Sequence, residues 1–184
     1  MHSTKGFIMN IGIVAAKSNS KRLPNKNVIS VDGSPLFWHS VAPMLESSII
    51  KKVYVATDSD FIKKYCEDRG VSIIWRKPNA SRDEDKLINI LRYAYYCIDE
   101  NAETVTTIMA NCPGHTSKQI DAAIEMLKQK KLKEVRSFNS FGEESGLMVF
   151  SKEIMQENSD ISYYIGCVVD EVKEIHYKED LIKN

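Results

Sequence analysis

The chain has 184 residues, 43% of them hydrophobic and 27% charged, with few Gly and Pro. That composition suits one folded domain with a proper core and excludes collagen-like repeats and disorder. Lys+Arg and Asp+Glu balance at 25 each, so no overall field draws the protein towards nucleic acid or a membrane surface. The balance hides an asymmetry. The first 31 residues carry Lys5, Lys17, Lys21, Arg22 and Lys26 and no acid, while the remaining 153 carry the compensating net negative charge. A local positive patch on a neutral protein suits a small anionic ligand better than a long polyanion.

No apolar run approaches the roughly 18 residues of a membrane span, and MHSTKGF lacks the apolar stretch of a signal peptide. Cys66, Cys97, Cys112 and Cys167 show neither CxxC nor zinc-finger spacing, so they read as reduced thiols of a cytoplasmic protein. Residues 1–8 are expected to be a disordered extension, and 9–184 a single domain.

In chain order, IGIVAA (11–16) is a short continuous apolar run, the pattern of a strand buried on both faces. A basic loop follows, and then Asp32-Gly33 marks a turn. Pro35 is placed at the first position of a helix, which Pro43 then kinks. KVYVATDSD (52–60) is a second buried strand, with Asp60 capping the helix that ends at Gly70. VSIIW (71–75) is a third strand. Between Asp85 and Asp99 the apolar residues Leu87, Ile90, Leu91, Ala94 and Ile98 keep helical spacing. TVTTIMA (104–110) is a fourth strand, and Thr116 with Gln119 forms a capping-box pattern before a helix. EVRSF, SGLMVF and YYIGCVVDEV read as later strands, with a short helix over SKEIMQEN. Strands alternating with helices imply an α/β fold: a mostly parallel, Rossmann-like sheet in three αβα layers. In such sheets ligands sit at the carboxyl ends of the strands, where the chain order reverses.

The loop AAKSNSKRLPNKN (15–27) leaves the carboxyl end of the first strand. Lys17, Lys21, Arg22 and Lys26 supply cations, and Ser18, Asn19, Ser20 and Asn27 supply hydroxyl and amide groups, the set a triphosphate requires. Neither the Walker A spacing nor a GxGxxG fingerprint is present. A cationic run is most often a solvated face, so both readings stand on charge alone. The position after a buried strand, with no compensating acid, favours the phosphate cradle.

The run from Ser20 to Asn27, S-K-R-L-P-N-K-N, resembles the loop signature of the sugar-acid cytidylyltransferases, especially the acylneuraminate branch. GSPLFWHSV, VYVATDSDFI, WRKPNASRD, NCPGHTSKQIDAAIEML, SGLMVFSKE and EIHYKEDL resemble later family segments in the right order. The resemblance runs from Met9 to near the end of the chain, and it implies the nucleotide-diphospho-sugar transferase type of fold. It implies transfer of CMP from CTP to a sugar acid such as a nonulosonic acid, with Mg²⁺ and release of pyrophosphate. Lys17 and Lys21 would be catalytic. Ala15, Ala16, Ser18, Asn19, Ser20, Lys21, Arg22, Lys26 and Asn27 would bind the nucleotide, with Arg76, Ala80 and Ser81 closing on the cytosine. Met109 and Asn111 would face the sugar, and Glu174 and His176 would stand at the metal.

Several positions depart from the family pattern. Lys17 replaces an arginine, Asn19 a glycine and Met109 a glutamine, and Asn111 stands where related branches place an aspartate. Glu174-Ile175-His176 replaces an Asp-x-Asp pair, and imidazole is a poor ligand for Mg²⁺. The alternatives are a diverged, non-catalytic nucleotide binder of the same fold, or a nucleotidyltransferase for another base or sugar. The expected partners are CTP and a sugar acid, with no nucleic acid and no membrane. The family's assembly implies a homodimer, although the segment between Ser137 and Ser145 is too short here for the excursion that reaches a neighbouring subunit in sialic acid members.

Overall fold

The computed structural model describes residues 9–18, 20, 23–76, 86–98, 101–156, 165–172 and 174–182. The apolar run of the first strand becomes β1 (Met9–Ala15), whose interior is buried on both sides. A 3₁₀ turn (Lys26–Val28) leads to a small hairpin, β2 (Ser30–Val31) and β3 (Ser34–Pro35), and then to α1 (Trp38–Leu45). There follow β4 (Lys52–Thr57), α2 (Asp60–Glu67), β5 (Ser72–Trp75), α3 (Leu87–Tyr96), β6 (Ala102–Ile108) and α4 (Ser117–Gln129). The chain continues through β7 (Glu134–Phe138), β8 (Glu144–Ser151), α5 (Lys152–Gln156) and β9 (Ile165–Val169), then a 3₁₀ turn (Lys178–Ile182).

The main sheet has the order β5-β4-β1-β6-β8-β7-β9. Only β8 runs against its neighbours, so the sheet is mostly parallel. Period-two alternation divides the core between its faces. Val14, Val53 and Val55 pack with α1, α2 and α4 on one side, and Ile11, Ile13 and Tyr54 pack with α3 and α5 on the other. The result is a three-layer αβα architecture. From β1 the chain builds outwards through β4 and β5, then crosses to place β6 on the other flank of β1. That reversal opens a crevice at the carboxyl end of β1. Among the described residues no helix is long and apolar enough to cross a membrane.

Two local expectations change. Pro35 does not open a helix. Asp32 and Gly33 both have positive φ (45° and 81°), the geometry of a primed two-residue hairpin turn. That turn returns the chain against β2 and pairs Pro35 with Ser30 in a ribbon short enough to tolerate a missing N–H. The cap of α2 is Ser59 rather than Asp60, with its hydroxyl accepting the Ile62 N–H at 3.3 Å. Pro43 lies inside α1, and that helix stops two residues later, at Leu45. The Thr116–Gln119 capping box forms as expected and fixes the start of α4.

Gly146 sets the approach of β8 to the loop after β6. Its φ is +99°, and a Cβ built there would stand 2.9 Å from Cys112 Cβ and closer still to the sulfur. Its carbonyl accepts the Met109 N–H at 2.9 Å. Gly146→Ala therefore combines backbone strain with a clash in a full core, costing about 2–4 kcal/mol. In thermal unfolding this lowers the midpoint by roughly 5–15 °C. Gly142→Ala, at φ +81° but in open space, should cost only about 1 kcal/mol.

Candidate functional site

The site grows from the way the chain leaves β1. Ala15 is half-buried, and Ala16 continues the strand by donating its N–H to Ala56 O at 3.0 Å. The Ala16 side chain is fully buried in the core, so a ligand could meet this residue only through its backbone. The loop proper begins at Lys17 and is stitched at both ends. Ser18 N–H donates to Asp58 Oδ1 at 2.6 Å, and Asn27 Nδ2 donates to Lys17 O at 2.8 Å. Asn27 is buried and accepts the Phe37 N–H on its carbonyl at 3.0 Å. Asn25, left-handed at φ 56°, turns the chain into the 3₁₀ turn that carries Lys26.

A cleft of about 450 Å³ opens above this loop, at the carboxyl ends of β1 and β6. Ala15, Lys17, Ser20, Lys26, Asn27 and Arg76 line it from the β1 and β5 ends. Met109, Asn111, Glu174 and His176 line it from the opposite side, with Leu87 and Ala110, which the sequence did not single out. Ser18 is absent from the lining because its N–H faces Asp58, so it anchors the loop. Asn19, Lys21, Arg22, Ala80 and Ser81 lie outside the described residues. Lys17, Lys26 and Arg76 give this cleft a cationic wall, and Glu174 is the carboxylate facing them.

Glu174 and His176 are brought in by the segment after β9. Its Ile175 N–H donates to Asn111 O at 2.8 Å, and Asn111 Nδ2 lies 3.4 Å from Glu174 Oε2. His176 Nε2 forms an ion pair with the same oxygen when protonated. Cys112, directly below, is no nucleophile. Burial pushes its thiol far above the ordinary range, the nearby Glu174 charge adds to this, and Lys26 opposes it only weakly. Among the described residues no three His, Cys, Asp or Glu side chains converge on one point. One carboxylate with an imidazole nearby fits a Mg²⁺ that keeps waters and takes phosphate oxygens, not a cation caged by protein.

A second cavity of about 360 Å³ shares Leu87 and Met109 with the cleft. Met148, Phe150 and Ile154 form its apolar wall, and Arg136 stands in it between Glu134 and Glu144. Burial works against the Arg136 charge, but hydrogen bonds to these two carboxylates outweigh it and hold the guanidinium protonated. Met109 thus occupies the wall between a cationic cleft and a mixed apolar and polar chamber. None of these three charged residues stood out in the sequence, because β7 and β8 read there only as strands.

The cationic cleft lies at the reversal point of a mostly parallel αβα sheet, where folds of this class bind their ligands. Among solved structures, a CMP:2-keto-3-deoxy-manno-octonic acid synthetase complexed with CTP superposes with a TM-score of 0.79 at 12% identity, over 95% of this chain and 96% of that one. A 4-diphosphocytidyl-2C-methyl-D-erythritol synthase from Anaerococcus prevotii superposes at 0.68 and 13% identity, over 96% and 94%.

The family profile described as Cytidylyltransferase matches residues 11–164. An N-acylneuraminate cytidylyltransferase of Streptococcus agalactiae serotype III is 31% identical over 139 residues, 74% of this chain and 33% of that protein. A CMP-N,N'-diacetyllegionaminic acid synthase of Legionella pneumophila is 28% identical over 64% of this chain and 53% of its own. The chain thus spans between a third and about half of the length of these curated relatives. It belongs to the cytidylyltransferase family.

The Asn27 amide is the tie that closes the loop, and only a donor serves there. Asn27→Ala should weaken nucleotide binding about tenfold by freeing the Lys17 carbonyl. Asn27→Asp should be worse, since it places a carboxylate against that carbonyl. Calorimetry with CTP checks both, and equal affinity of Asn27→Asp and wild type would refute the tie.

Proposed function

We propose that this chain transfers CMP from CTP to a sugar acid of the nonulosonic type and releases pyrophosphate. The convergence of Lys17, Ser20 and Lys26 with Glu174 at the carboxyl end of β1, in a chain of this family, carries the reading. CTP would lie in the cleft, with its phosphates along the loop and its base towards Ala15 and Arg76, and Ala80 and Ser81 closing over the cytosine. The acceptor would fill the chamber beyond Met109, which Lys86 and Arg136 line as cations.

An acceptor hydroxyl oxygen would bond to the α-phosphorus while the bond to the bridging oxygen of pyrophosphate breaks, and the hydroxyl proton is lost. Lys17 and Lys26, with Lys21 by family resemblance, would hold the charge that develops on the departing pyrophosphate, which is positioning and electrostatic catalysis. Lys17 carries charge there without the two-pronged geometry of an arginine. Glu174, with His176 beside it, would hold a Mg²⁺ against the phosphates, and that ion supplies further charge neutralisation when bound.

The single carboxylate at this position favours a second reading, a nucleotide binder of the same fold that no longer turns over. Pyrophosphate release from CTP and Mg²⁺ over a panel of sugar acids separates the two. Release with at least one acid supports the transferase, and CTP binding without release with any of them supports the binder. CTP is expected to raise the unfolding midpoint more than UTP, ATP or GTP. A larger shift with another triphosphate would reassign the base. Lys26→Met should lose most of the CTP shift, because it removes a half-buried cation from the phosphate wall.

A further inference from the structure

Below the cleft, two buried polar atoms face each other with no other hydrogen-bond partner: His115 Nδ1 and Asp170 Oδ2, 3.5 Å apart. Their side chains are 0% and 2% exposed. His115 Nε2 lies 2.8 Å from Ser145 O, and a carbonyl only accepts, so Nε2 carries a proton. One further proton between Nδ1 and Oδ2 satisfies both atoms. Without it, a lone pair faces a carboxylate. The other Asp170 oxygen accepts the Val172 N–H at 3.1 Å, and the Asp170 N–H donates to Phe138 O at 2.8 Å.

This pair stands where the chain turns from β9 towards the cleft. Val172 is buried next, close to Gly114, which neighbours His115 in sequence. The segment is then caught again by the Ile175 N–H on Asn111 O. Glu174 is thus held between two anchors, and both anchors grip the same loop between β6 and α4, at His115 and Asn111.

We propose that His115 and Asp170 are a positioning clamp: together they fix the chain after β9, at Asp170, on the β6–α4 loop and so set where Glu174 and His176 stand in the cleft. Its consequence for binding rests on the reading of the cleft as a CTP site, whereas its effect on the segment does not. The chemistry distinguishes a clamp from a carboxylate that acts as a ligand. In Asp170→Asn the carboxamide oxygen still accepts from Val172, and the amide nitrogen donates to His115 Nδ1 with no extra proton.

Amide hydrogen exchange on the whole chain reads the segment directly. His115→Ala and Asp170→Ala should speed exchange at Ile175 about tenfold, the loss expected of one buried hydrogen-bonded contact, while Asp170→Asn stays within about twofold of wild type. Ile124, in the core-facing stripe of α4, should not change. An Asp170→Asn protein that exchanges at Ile175 about tenfold faster than wild type overturns the clamp, whether or not the alanine variants fold. So does an equal rise at Ile175 and Ile124, which would mean a general loss of stability. CTP calorimetry adds a double-mutant cycle: His115→Ala should cost about tenfold in affinity alone and less than about twofold in a Glu174→Gln background. Additive losses would also overturn the clamp. A wild-type chain that binds no CTP refutes the reading of the cleft instead, and the exchange arm still decides the clamp.

Discussion

The structure depends on the position of β1, paired in parallel with β4 on one flank and β6 on the other. Both neighbours run the same way as β1, so each must send its chain onward from the same end of the sheet. The connections after β1 and β6 then diverge, and no element of the described residues fills the space between them. The cleft is therefore a result of strand order before any side chain is considered. The buried runs of β1 and β4 make that order stable by covering both faces, with Val14 and Val55 on one side and Ile11 and Ile13 on the other.

Within that opening, the described part of the loop is held by one carboxylate, one amide and backbone atoms. Asp58 takes the Ser18 N–H, and Asn27 takes the Lys17 carbonyl. This arrangement leaves cationic heads as the groups presented at the cleft. The loop contains no acid of its own, and its described ends are tied to Asp58 and to each other. Asn25 and Asn27 shape the return, and Lys26 is carried on it.

Much of this was legible in the sequence. The buried runs, the alternation of strands with helices and the spacing from Ser20 to Asn27 name the fold and place the loop. The parts that escaped share one property, a partner distant in sequence. Asp58 reaches back across 40 residues to Ser18, and His115 meets Asp170 from across the sheet, so neither pairing has a local signature. Arg136 is the exception: Glu134 is two residues away on the same strand and Glu144 eight away across the β7–β8 turn, but the sequence does not show that the three meet at a cavity. Ala16 shows what a motif alone does not give, where a side chain points. It belongs to the motif, yet one more residue of strand geometry turns its side chain into the core. Pro35 shows local rules in competition, because a primed turn at Asp32-Gly33 decides the path before the helix-opening preference of proline can act.

The departure at Glu174-Ile175-His176 also looks different in three dimensions. Ile175 is fully buried and its N–H is bonded to Asn111, so the two flanking residues alternate to the cleft side as a strand would place them. The backbone sets Glu174 and His176 side by side at the cleft, and the departure from the family pattern lies in what those two side chains carry. The contacts to Asn111 and His176 both fall on Oε2 of Glu174. A cation bound through Oε1 would leave both in place, with His176 and Asn111 orienting the carboxylate from behind, as supporting groups do around metal ligands. In that arrangement the imidazole need not be a ligand at all. The poor match of histidine to Mg²⁺ then bears on how firmly Glu174 is held, and a cation that takes most of its ligands from phosphate and water asks for little more than one such carboxylate.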